Sequence, residues 1–91
     1  MKKSLIPQIS KAVLNKLESS ESKDVSLFVK GDDYIILEDK EQFDKNGDYL
    51  PPKGYEPSWK STVIGFNYSD SPLPTIEDIE HCLYNTFIKV L

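Results

Sequence analysis

There is no arginine in this chain of 91 residues; all 11 basic side chains are lysines. Arginine supplies the planar, bidentate fork used on phosphate, carboxylate and guanine. Its absence argues against specific recognition of nucleic acid or phosphate. A codon bias toward lysine accounts for the same absence, and the two explanations are compatible. Cysteine occurs once, at Cys82, which excludes an internal disulfide. His81 is the only histidine, so the His and Cys side chains together fall short of the three or four ligands a zinc ion takes. On a helix these two neighbours point about 100° apart and do not face one substrate atom. No apolar run approaches the roughly 18 residues of a membrane span. Met1-Lys2-Lys3 opens like a signal peptide, but Pro7, Gln8, Ser10 and Lys11 interrupt any apolar segment behind it. The expected setting is the cytoplasm. A glycine-rich phosphate loop and a nucleophile elbow are both missing, and no catalytic apparatus is visible, so the expectation is a protein that is not an enzyme and carries no cofactor and no metal.

What is present is acid, unevenly placed. The net charge is −4. Residues 1–30 carry six lysines and three acids, residues 31–60 four lysines and eight acids, and residues 61–91 one lysine and four acids. The negative charge therefore lies in the middle and final thirds. Such a surface repels nucleic acid and steers basic partners toward itself.

The periodicity predicts a helix over about 4–19, with Ile6, Ile9, Val13 and Leu17 on one face at spacings of three and four. Ser4 is a candidate N-cap, and Pro7 is tolerated in a first turn. Strands follow over about 24–30, where Val25, Leu27 and Val29 alternate with Ser26 and Lys30, and over about 34–38. The Gly31-Asp32-Asp33 cluster between them implies an antiparallel hairpin. A third strand is expected over about 60–68, with Gly65 marking a bulge or a close backbone approach. The last helix, about 75–90, opens on Thr75 with Asp78 three residues on, an approximate capping box, and carries Ile76, Ile79, Leu83, Phe87 and Val90 as its apolar stripe. The sequence thus implies one α+β domain over residues 1–91. Its order is α-β-β-β-α: a three-stranded antiparallel β-meander with the N- and C-terminal helices packed on one face.

Residues 39–59 remain as a long acidic connection with Tyr49, Tyr55 and Trp59 set among Pro51, Pro52 and Pro57. Connections beyond about 12–15 residues are uncommon in compact domains and are usually functional or disordered. Asp44-Lys45-Asn46-Gly47-Asp48 opens like a calcium loop, but Tyr49 stands where that loop needs glycine and Tyr55 where it needs its bidentate glutamate. Asn46-Gly47 reads better as a turn. The aromatic residues are large, have few torsions and are enriched at binding hot spots; the competing expectation is that they fold back over the sheet.

The candidate partner-binding residues are therefore the acids Glu38, Asp39, Glu41, Asp44 and Asp48 with the rings Tyr49, Tyr55 and Trp59. The profile fits a small acidic protein-binding domain that blocks a basic partner, in the manner of a bacterial immunity protein or antitoxin facing a nuclease-like toxin. It would bind neither nucleic acid directly nor a membrane, and would be a monomer or weak dimer. Two other readings fit the same features: a phage or mobile-element inhibitor that mimics nucleic-acid charge, and an accessory subunit joined through a sheet edge.

Overall fold

A computed structural model describes residues 1–55 and 61–88. A single 3-10 turn, Lys3–Leu5, leads into α1, Ile6–Ser19. The expected Ser4 cap is not used: Ser4 lies in that preceding turn, and Leu5 at the N-cap makes no side-chain bond. The stripe does the predicted work, since Ile6, Ile9, Val13 and Leu17 are all fully buried. The helix ends at Ser20, whose hydroxyl accepts from the Lys23 main-chain N–H at 3.1 Å. Lys23 itself adopts a left-handed φ of 54° and sends the chain into β1.

β1 spans Asp24–Lys30 and β2 spans Asp33–Glu38. The Gly31-Asp32 loop joins them, with Lys30 opposite Asp33. Gly31 has φ +63° while Asp32 stays negative, the signature of a type II′ turn, in which glycine takes the first central position. β3 spans Ser61–Asn67 and α2 spans Ile76–Phe87. The capping box of α2 is complete: the Asp78 N–H donates to Thr75 Oγ1 at 3.2 Å and the Thr75 N–H donates to Asp78 Oδ2 at 3.1 Å. The ends expected for the third strand at Lys60 and for the last helix beyond Ile88 lie outside the described residues.

The α+β class, the order α-β-β-β-α and the antiparallel sheet are as expected. The strand order is not that of a meander. It is β2-β1-β3, with β1 in the centre paired to both neighbours. A meander would pair β2 with β3. Here both run antiparallel to β1 and so parallel to each other, which demands a long crossover rather than a hairpin. Gly65 marks neither a bulge nor a tight approach: the β1–β3 register runs unbroken through it, and among the described residues nothing stands within 4 Å of where its Cβ would be.

One face of the sheet holds Val25, Leu27 and Val29 with Tyr34, Ile36, Ile64 and Phe66, and both helices pack there into one apolar cluster. Phe28 points to the other face, opposite Ile35 and Val63, yet is also fully buried.

Candidate functional site

The crossover leaves β2 at Glu38, which sits opposite Val25, and enters β3 at Ser61, opposite Lys30. It therefore returns along the whole strand length and passes from one side of β1 to the other. At about 3.4 Å per residue and about 4.8 Å per strand spacing, that displacement is roughly 20 Å. Fully extended, residues 39–60 would reach about 70 Å. Topology requires a long connection, but not this long. The surplus is spent on a hairpin over residues 42–50.

Its base is tied to the sheet. Asp39–Gln42 forms a 3-10 turn capped by Glu38, whose N–H donates to Glu41 Oε1 at 2.9 Å. Gln42 is buried and its Nε2 donates to the Glu38 carbonyl at 3.3 Å. Glu41 also meets Lys16 of α1 at 3.1 Å. Above that base the Leu50 N–H donates to the Gln42 carbonyl at 2.7 Å, and Phe43 pairs antiparallel with Tyr49. The tip is held by Asp44, whose Oδ1 accepts from the N–H groups of Asn46 at 2.8 Å and Asp48 at 3.0 Å. Asp44 N–H donates to the Asp48 carbonyl at 2.9 Å and Gly47 N–H to the Asp44 carbonyl at 3.0 Å. Gly47 takes φ +84°, which favours glycine. Within the long connection, residues 42–50 thus form an internally bonded turn.

This hairpin displays apolar surface. The Phe43 and Tyr49 rings meet edge to face with centroids 6.0 Å apart. They are 44% and 46% exposed, and Leu50 beside them is 61% exposed. Aromatic pairs in this geometry gain about 0.5–1.5 kcal/mol beyond their burial, so the rings hold each other in place while still facing water.

The eight candidate residues separate. Glu38 and Glu41 are spent on the base, Glu38 with Lys40 at 3.5 Å and Glu41 with Lys16. Asp44 turns inward to its own turn. Asp39 and Asp48 are exposed, and so is Tyr49. Tyr55 does not join Tyr49. Tyr55 is half-buried, and with the exposed Gly54 it lines a shallow depression beside the Lys30–Asp33 turn. Trp59 lies outside the described residues. Phe43 and Leu50 belong to the patch and were absent from the sequence-based set. The signal for them was present: an Asp/Asn/Gly turn flanked by Phe43 on one side and Tyr49-Leu50 on the other is a hairpin pattern.

Two carboxyl groups are perturbed nearby. The Glu38 main-chain N–H, and then Lys16, hold Glu41 below its ordinary value of 4.5. Burial, and then the neighbouring Asp39, push Asp24 above its ordinary value of 3.8. Among the described residues no three His, Cys, Asp or Glu side chains cluster in a way that would hold a metal ion, and no helix is long and apolar enough to cross a membrane. Comparison of the chain with protein-family models, curated proteins and solved structures finds no match.

Proposed function

We propose that this chain is a protein-binding domain, an inhibitor that sets its 42–50 hairpin against a basic surface of another protein. One observation carries the reading. The connection is longer than the crossover needs, and residues 42–50 within it form an internally bonded turn that exposes Phe43, Tyr49 and Leu50 together. Exposed apolar groups cost free energy to keep in water, and rigid aromatic side chains lose little entropy when a partner covers them. Residues 38–50 hold five acids against Lys40 and Lys45, so the local field is negative even where individual carboxylates are paired. A field of that sign accelerates encounter with a basic partner and sets orientation, while the rings supply the dry contact. A nuclease-like toxin with a basic cleft fits both requirements, and the mode of action proposed is that of an immunity protein or antitoxin.

The test uses wild type and the double variant Tyr49→Ala/Leu50→Ser as paired baits in extract of the source cells. Both substitutions fall on exposed side chains, so the variant stays folded and loses no more stability than the ring contact contributes, about 0.5–1.5 kcal/mol. A basic protein is expected on wild-type bait at about 0.05 M salt, lost on the variant and weakened at about 0.5 M salt, where charges are screened beyond a few ångströms. Retention that ignores both the substitutions and the salt would overturn the reading.

A further inference from the structure

We infer that β3 is the pairing edge of a homodimer, joined antiparallel to β3 of a second copy about a two-fold axis at Ile64. The argument begins at the type II′ turn. In a two-residue hairpin the closing pair, Lys30 and Asp33, is hydrogen-bonded. Bonding direction alternates along a strand. Lys30, Phe28 and Ser26 therefore direct their main-chain groups to β2, and Val29, Leu27 and Val25 direct theirs to β3. Their β3 partners are Thr62, Ile64 and Phe66. The main-chain groups of Val63 and Gly65 consequently point away from β1, to the free edge, and among the described residues no element lies along that edge.

Edge strands are ordinarily guarded by charge, proline or a bulge. β3 from Ser61 to Asn67 has no charged residue and no proline, and its register to β1 is unbroken. The other edge is guarded. Main-chain groups of Glu38 are taken by Glu41 and Gln42, and an antiparallel pairing of two β2 strands about a two-fold axis at Ile36, the register their outward groups allow, would set Asp33 of one against Asp39 of the other, like charges directly opposite. On a chain of net charge −4, the uncharged β3 edge is where two copies approach with least repulsion.

The side chains fit as well. With the axis at Ile64, Val63 of one copy stands opposite Gly65 of the second copy, in the hydrogen-bonded pairing that their outward groups require. Val63 is 42% exposed, and the space at Gly65 is open among the described residues. The valine methyls fill the vacancy that the glycine leaves. Ile64 meets Ile64 of the second copy at the centre of the edge, on the helix-covered side, and the two three-stranded sheets become continuous.

Sedimentation velocity over about 1–300 µM, the range in which small transient interfaces associate, tests this. Wild type is expected to pass from 10.4 kDa to twice that mass, and to do so equally at about 1 M salt, which separates this contact from the salt-sensitive hairpin. Val63→Pro removes an outward N–H that the monomer does not use, and Gly65→Lys fills the vacancy with a charged chain. Each is expected to weaken association at least tenfold while circular dichroism stays folded, and either suffices if the other fails to fold. Amide exchange at Val63 and Gly65 in wild type should slow as concentration rises. A wild type that remains at 10.4 kDa throughout, or folded variants that associate as wild type does, would overturn the inference.

Discussion

Asp24 and Glu41 are carboxyl groups shifted in opposite directions, and the difference is readable in stability. Glu41 is held below 4.5 by the Glu38 N–H and Lys16. A depressed folded-state value means the ionised form is the one the fold favours. That contribution is present above the unfolded value and is lost as pH falls through the folded one. Asp24 is raised above 3.8 by burial and Asp39, so its ionised form is a penalty above the folded value, relieved as pH falls below the unfolded one. Glu41→Gln is therefore expected to lower stability at pH 7, with the loss fading as pH falls below 4.5 and through the folded-state value. Asp24→Asn should raise stability at pH 7, with the gain fading as pH falls through the raised folded-state value and below 3.8. Urea midpoints across pH measure both, and a loss in Glu41→Gln that persisted unchanged at low pH would show packing rather than charge at that site. Neither shift was legible in the sequence. Lys16 meets Glu41, and Asp39 acts on Asp24, only because the chain folds back across many positions.

At the level of elements, local chemistry was readable wherever it was complete in itself. The alternation of Val25, Leu27 and Val29 with Ser26 and Lys30 set the limits of β1, and Thr75 with Asp78 marked the start of α2, as found. The 42–50 hairpin was half legible. Asn46-Gly47 marks its turn, but the spacing around Asp44 suggests a ligand or a surface charge, whereas Asp44 accepts two N–H groups of its own tip. Asp44→Ala leaves those donors to water and loosens the turn. It is expected to change global stability by less than about 1 kcal/mol, because the tip is exposed. Amide protection at Asn46 and Asp48 should fall, and binding of the basic partner should fall with it, since the rings then have to be ordered on contact. Unchanged amide protection at both positions would show that the tip does not depend on this carboxylate.

Across the whole molecule the decisive feature is the strand order. A sheet ordered β2-β1-β3 forces the crossover and sets β1 at the centre, with buried side chains on both of its faces. Phe28 is the test residue. It faces away from both helices yet is fully buried, so the sheet's second face is covered at that point. Phe28→Ala is expected to destabilise the fold by about 3–5 kcal/mol, as for a large side chain in any core, while a truncation on an open sheet face would cost within about 0.5 kcal/mol. Equilibrium denaturation decides between the two.

Apolar spacing, turn residues and capping pairs are contained within a few consecutive positions, and they determined by themselves which segments became helices and strands. Which strand β3 pairs with, what covers Phe28 and which of the aromatic residues share a surface were decided only in three dimensions. Pairing depends on contacts between residues far apart in the chain, and an alternating strand carries the same local pattern whether its neighbour precedes or follows it.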